Sequence, residues 1–272
     1  MNIEERDFKR LYLFIRDNYG VNLEKKKTLV EGRLGNVIAQ AGYANFHDYV
    51  EAALNDSTGD MINFIITRLT TNYTYFMREE THYQFMVRQA LPEWSSRIRD
   101  HDLRIWSAGC STGEEAYTTA MVVQEFLGPN AAKWDATILA TDISQRVLSQ
   151  AKKGVYNEAA LERLPQQWRS KYFTHLEGEQ WKVGDLLARQ VVFGMHNLMD
   201  SAYTAKFKRK FHIIFCRNVM IYFNSETKEA IVNKFYDVME PGGYLFIGLS
   251  ETLSGLNNRF EQVSPAIYRK ES

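Results

Sequence analysis

The sequence predicts an α/β protein in which a doubly wound sheet domain follows an all-helical N-terminal domain, and three observations carry that expectation. Leu103 to Tyr117 reads LRIWSAGCSTGEEAY: Leu103, Ile105 and Trp106 end a buried strand, Gly109 and Gly113 make a small-residue turn, and Glu114 to Leu127 reads as a helix. Downstream, Thr137 to Ala140 is a second apolar strand that ends at Thr141-Asp142-Ile143. Residues 1 to 88, by contrast, show helical periodicity and no strand signal.

In chain order, Phe8, Leu11, Tyr12 and Ile15 mark a first helix stopped by Gly20, and Leu29, Val30, Leu34, Val37 and Ile38 a second closing at Gly42. Asn45 is placed to cap a third helix carrying Phe46, Tyr49 and Val50, and Ser57 or Thr58 a fourth carrying Met61, Ile62, Ile65 and Leu69. Lys25, Lys26, Lys27 and Arg33 crowd the N-terminal half of the second helix, where the dipole disfavours them; they read as a solvated face or as a surface for an acidic partner. The stretch 70–79, TTNYTYFMRE, is too polar at its start for a buried strand, and it reads either as a packed linker or as a source of donors and acceptors at a domain junction. The shift in composition around Pro92 to Asp102 divides the chain into a helical domain with its linker, 1–88, and a sheet domain, 89–272. Within the latter, a helix from Ser144 to about Lys153 leads into turns and short helices, and KYFTHL, QWKV and RQVVF suggest an antiparallel excursion at about 171–195. FHIIF, residues 211–215, is a buried strand, Asn224 or Ser225 caps a helix to about Met239, Pro241-Gly242-Gly243 turns into a strand from Tyr244 to Leu249, and residues 260–263 and 266–269 form a last antiparallel pair.

Lysine plus arginine balance aspartate plus glutamate at 33 each, so no global field favours nucleic acid or an anionic membrane. No run approaches the ~20 apolar residues of a membrane span, the N-terminus lacks the apolar core of a secretory signal, and a cytoplasmic location is expected. Cys110 and Cys216 give no disulfide framework, and six scattered histidines give no metal signal.

Strand, glycine turn and helix form a nucleotide-loop geometry, but the G-x-G-x-x-G spacing is absent, and Glu114 and Glu115 on the first helical turn would repel a pyrophosphate. A nucleoside ligand with a cationic portion and no phosphate, such as S-adenosylmethionine, suits those carboxylates. Acidic residues also favour any helix first turn through the dipole alone. Asp142, at the tip of the second strand, is placed to accept from ribose hydroxyls, the alternative being a helix cap. Arg217 and Asn218 at the end of FHIIFC are costly between apolar neighbours unless they meet partners or a ligand.

TNYTYFMRE, SAGCSTGEEAY, ATDIS, the NL of MHNLM and FCRNVMIYF together resemble the signature blocks of the CheR-type chemotaxis receptor methyltransferases, and the resemblance covers nearly the whole chain. It implies a class I S-adenosylmethionine-dependent methyltransferase domain of Rossmann-like fold, with a small β-hairpin subdomain, behind an all-α domain. The implied activity is transfer of a methyl group from S-adenosylmethionine to glutamate side chains of membrane chemoreceptors. Carried over by position, it implies that Asn72, Thr74 and Arg78 lie at the methionine end of the cofactor, Glu115 near its amino acid portion, Asp142 at the ribose, and Asn197 and Leu198 at the adenine. Cys216 and Arg217 would line the cleft, and Tyr222 would sit beside the substrate carboxylate, with Arg78 or Arg217 orienting it. Two features depart from the family pattern. Relatives that bind a receptor C-terminal pentapeptide carry a longer, glycine-containing loop in the hairpin, whereas the turn here is the short 176–179, which speaks against a tether; the second helix is also less basic in its later turns. Other readings are a cofactor-binding adaptor without turnover, or a methyltransferase for another carboxylate.

Overall fold

The computed structural model describes residues 1–200, 202 and 207–271. Helices α1 (Glu5–Tyr19), α2 (Lys27–Gln40), α3 (Phe46–Asn55) and α4 (Asp60–Leu69) bury their apolar faces on one another, with Leu11, Ile15, Val30, Leu34, Ile38 and Ile65 at the centre. Gly20 ends α1 in the left-handed region at φ 76°, and the Asn45 side chain caps α3 by accepting from the Asp48 N–H at 2.9 Å. The cap expected for α4 is different. The residue before the helix is Gly59, at φ 73° and without a side chain to offer; Thr58 Oγ1 accepts the Asp60 N–H at 3.2 Å, and Asp56 accepts the Met61 and Thr58 N–H groups. The basic run on α2 is partly committed: Lys27 pairs with Glu5, and Arg33 donates to the carbonyls of Arg68 and Thr70 at the end of α4, where a cation complements the helix dipole.

Phe76 is the one buried residue of the 70–79 stretch, edge-on to Tyr156 and Phe173, while Tyr73 stands in solvent. Beyond it, α5 (Glu80–Phe85), a π-turn (Met86–Ala90) and α6 (Leu91–Arg97) pack Tyr83, Met86 and Trp94 against the sheet.

The main sheet contains β1 (Ile105–Ala108), β2 (Ile138–Asp142), β6 (Val191–Met195), β7 (Phe211–Cys216), β8 (Met239–Ile247), β9 (Phe260–Ser264) and β10 (Ile267–Lys270) in the order β6-β2-β1-β7-β8-β10-β9. The five strands from β6 to β8 run parallel, and β10 and β9 close the other edge antiparallel. Helices α7 (Glu114–Leu127) and α8 (Gln145–Lys153) follow β1 and β2, and α12 (Ser225–Val238) follows β7. Every residue of β7 is buried, as a parallel strand covered on both faces requires. The strand order reverses between β1 and β7, so the loops leaving their C-terminal ends diverge and open a crevice. Glu240 to Gly243 bulge out of β8, since Phe211 faces Met239 while Ile213 already faces Tyr244.

The antiparallel excursion exists with a different membership. β3 (Val155–Asn157), β5 (Gln180–Val183) and β4 (Phe173–His175) form a separate sheet in the order β3-β5-β4, interleaved with α9 (Glu158–Leu161) and α10 (Gln166–Tyr172). The residues RQVVF do not join it: after α11 (Asp185–Gln190), β6 pairs parallel with β2 from Ile138↔Val191 to Asp142↔Met195. The strand that takes the expected place, VYN, is three residues long and follows Gly154 at φ 61°, so it reads as a turn in sequence.

Candidate active site

The crevice is lined by the ends of β1, β2, β6 and β7, by the 70–78 stretch, and by Tyr19 and Val21 of the α1–α2 turn. Asp142, the last residue of β2, accepts the Ser111 N–H on Oδ2 and the Ser144 N–H on Oδ1, each at 2.9 Å. Ser144, not Asp142, caps α8. Burial pushes the Asp142 carboxyl up while these backbone donors pull it down. Gly109, at φ 100°, lines the crevice, and a Cβ on it would stand 2.4 Å from Val219 Cγ2. Gly113 answers to packing rather than to a ligand: a Cβ there would meet Ala151 and the Tyr156 hydroxyl, each at 3.0 Å.

The two glutamates of α7 separate. Glu114 folds back onto the Thr112 hydroxyl, at 2.6 Å, away from the crevice. Glu115 lines it, accepting from Ser107 Oγ at 2.6 Å and from Arg217 Nη1 at 3.2 Å. Arg217 is buried, its side chain 1% exposed, and its donors go to protein groups: Nε to Glu79, Nη1 to Glu115 and the Tyr83 hydroxyl, Nη2 to the Arg78 carbonyl. Burial opposes its charge, but Tyr83, Glu115 and Glu79 outweigh that and raise its pKa. Burial pushes Glu115 up, with Arg217 and Ser107 pulling against it. His82, 3.5 Å from Glu79, is held neutral; burial first, then Arg217, lowers it to about 4.

Asn218 sits beside Arg217 at φ 58°, and Met77, Glu79 and Ser111 near the crevice are likewise left-handed non-glycine residues, each costing about 1–3 kcal/mol. The Asn218 Oδ1 is buried without a hydrogen-bond partner and belongs to a crevice residue, so an acceptor stands ready for a donor. Two carboxylates, Glu115 and Asp142, and two guanidiniums, Arg78 and Arg217, line the crevice, and Glu79 pairs with Arg217 from outside that lining. With that free acceptor beside Glu115 and Asp142, the set offers acceptors to a nucleoside bearing a cationic centre.

Asn72, Thr74 and Arg78 all line the crevice. The Asn72 carbonyl accepts from Ser111 Oγ, and Arg78 Nη1 donates to the Tyr73 carbonyl at 2.7 Å. Asn197 and Leu198 line it too, and Asn197 Nδ2 donates to the Asn18 carbonyl of α1 at 2.8 Å. Tyr222 also lines the crevice, its hydroxyl accepting the Thr71 N–H at 2.9 Å and donating to the Thr71 carbonyl at 3.0 Å. Cys216 is the exception. Side chains alternate along β7, so Phe215 and Arg217 face Tyr83 while Cys216, with Ile214, points into the core beneath α12 and does not line the crevice. Glu79, Tyr83, Ser111 and the α1–α2 turn carry no role in the sequence reading, although Glu79 closes the TNYTYFMRE block. Among the described residues no acidic, histidine or cysteine group is arranged to hold a metal, and no helix is long and apolar enough to cross a membrane.

Residues 6–70 match the family described as CheR methyltransferase, all-alpha domain, and residues 72–268 match CheR methyltransferase, SAM binding domain. The chain is 40% identical to a chemotaxis protein methyltransferase of Borreliella burgdorferi, over 99% of this chain and 96% of that one. It is 33% identical to chemotaxis protein methyltransferase Cher2 of Pseudomonas putida, over 98% of each chain. The chemotaxis protein methyltransferase of Escherichia coli is also 33% identical, over 98% of this chain and 91% of that one.

Proposed function

This chain belongs to the CheR methyltransferase family, and we propose from that premise that it transfers a methyl group from S-adenosylmethionine to glutamate side chains in the cytoplasmic part of chemoreceptors, leaving glutamyl methyl esters. The observation that supports this reading most is the crevice at the switch point, which gathers Asp142, Glu115, Arg78 and Tyr222 in one lining.

When bound, S-adenosylmethionine supplies a methyl carbon made electrophilic by its sulfonium. Asp142, its oxygens oriented by Ser111 and Ser144, would hold the ribose hydroxyls, and Asn197 and Leu198 would frame the adenine. Asn72, Thr74 and Arg78 would border the methionine end, where Glu115 and the free Asn218 Oδ1 offer acceptors for an ammonium. Arg217 holds Glu115 and Glu79 in place rather than meeting substrate.

The incoming glutamate has a reference pKa near 4.3, so it arrives ionised at neutral pH and the site needs no general base. What the chain must do is align and desolvate it. Arg78, with one N–H on the Tyr73 carbonyl and others to spare, would orient the carboxylate, and Tyr222 would donate to it in exchange for its bond to Thr71. The turn between β4 and β5 spans only 176–179, which favours receptor docking without a C-terminal pentapeptide.

The test is transfer of radiolabelled methyl to receptor cytoplasmic fragments with and without that pentapeptide. Base-labile label on both is expected. No label despite measurable binding of S-adenosylhomocysteine would place the chain with binding-only adaptors or with another carboxylate substrate. Tyr222→Phe should lower turnover about tenfold with cofactor affinity nearly unchanged, and an equal loss in both would remove Tyr222 from the reaction.

A further inference from the structure

A carboxylate outside the crevice organises the loop that carries Asn218 and Tyr222. Glu251 lies just beyond β8, and its Oε2 accepts the backbone N–H of Asn218 at 2.8 Å and of Gly248 at 2.7 Å, while Oε1 accepts the N–H of Ile221 at 3.1 Å. It is not part of the crevice wall. The segment it grips, 217–222, supplies Arg217, Asn218, Val219, Ile221 and Tyr222 to that wall. The fit is tight from behind as well: a Cβ on Gly248 would stand 2.5 Å from Asn218 Nδ2 and 2.8 Å from Glu251 Oε2. Asn218 holds a left-handed backbone, which needs surrounding contacts to persist. One side chain therefore grips both ends of the loop, at Asn218 and at Ile221, and the latter directly precedes the Tyr222 whose hydroxyl reaches Thr71.

We propose that Glu251 is a positioning residue for methyl transfer: its two oxygens fix the 217–222 loop, and through it the Tyr222 hydroxyl and the Asn218 side chain, without touching cofactor or substrate. A carboxylate is needed because both its oxygens accept. A glutamine offers one accepting oxygen and an NH2, which meets either the Ile221 or the Asn218 N–H donor to donor. An aspartate keeps the charge but falls short by one methylene and cannot span both ends. The effect on the reaction rests on the methyltransferase reading above; the grip on the loop does not.

The experiment measures Glu251→Gln and Glu251→Asp in the full chain by two readouts. Hydrogen exchange reports the loop directly: the amides of Asn218, Ile221 and Gly248 should exchange about tenfold faster in both variants, with the thermal midpoint and the amides within β8 held near wild type. Wild-type exchange at these amides, or acceleration spread evenly through the chain, overturns the proposal. Steady-state kinetics with S-adenosylmethionine and receptor fragment report its use: Glu251→Gln should lower kcat about tenfold with the KM for S-adenosylmethionine within about threefold, and should lower it much less in a Tyr222→Phe background. Unchanged kcat, or losses that multiply in the double variant, also overturn it. Faster loop exchange with no transfer even by the wild-type chain would instead refute the substrate reading and leave the loop assignment standing.

Discussion

Arg217→Met asks whether the buried cation beneath the crevice does what its contacts imply. Methionine matches the length of the aliphatic stem and keeps contact with Tyr83, but leaves Glu79 and Glu115, whose side chains are 13% and 12% exposed, without their shared cation. The Tyr83 hydroxyl and Arg78 carbonyl lose a partner too. Removing one member of a buried ion pair costs about 3–5 kcal/mol, because the remaining charge is neither paired nor hydrated. Part of this is relieved by protonation, since burial already pushes Glu115 up and Arg217 is the strongest pull downward. In the variant the folded-state pKa of Glu115 therefore stands further above its unfolded value, and stability is lost as pH rises through it. The deficit should be near 3 kcal/mol or more at pH 8 and smaller by about 1 kcal/mol at pH 5.5, roughly 6–12 °C in thermal midpoint at the higher pH. Urea unfolding followed by circular dichroism at both pH values measures it. A deficit below about 1 kcal/mol, or one that shrinks as pH rises, would refute the reasoning.

Asp142→Asn should weaken S-adenosylhomocysteine binding by about 2 kcal/mol, some 30-fold, through loss of a charged acceptor and a donor clash with the Ser111 or Ser144 N–H. Calorimetric titration decides, and a change within about threefold contradicts the assignment. His82 and His212 are both buried and neutral, the first lowered to about 4 by burial and Arg217, the second to about 3 by burial and Arg104. Their folded values lie below the unfolded one near 6.5, so the stability they contribute is present above pH 6.5 and is lost as pH falls toward 4 and 3; for His82 this is about 3 kcal/mol. His82→Leu should flatten the fall of the urea midpoint between pH 6.5 and 4, and an unchanged slope counts against a neutral buried imidazole.

Local signals were legible wherever chemistry and geometry fall within a few residues. The strand, glycine turn and helix at 105–127 and the carboxylate ending β2 stand where the pattern places them, because turn sterics and apolar runs act at short range. Parity along a buried strand is not written in its pattern: FHIIFC shows no alternation, so the sequence offers no check on the cleft position the resemblance implies for Cys216, and only the structure separates it from Arg217. VYN was hidden because three residues cannot show an alternation. Glu251 and Glu79 were silent for another reason: their partners Asn218 and Arg217 lie 33 and 138 residues away, and one sequence does not reveal a contact across that distance.

One rim of the crevice belongs to both halves of the chain at once. Asn197 donates to the Asn18 carbonyl, the Asn22 N–H donates to the Tyr222 carbonyl, and Val21 bridges to Phe223 as a short antiparallel contact. Tyr19 and Val21, between these bonds, face the same space as Leu198. A molecule lodged there therefore presses on the seam that joins the helical half to the sheet, and the free energy it gains from a closed seam is equal to the cohesion it lends the two halves. The reciprocal holds as well: whatever grips α1 from outside and draws it away weakens binding of the molecule beneath, and whatever holds it down strengthens that binding.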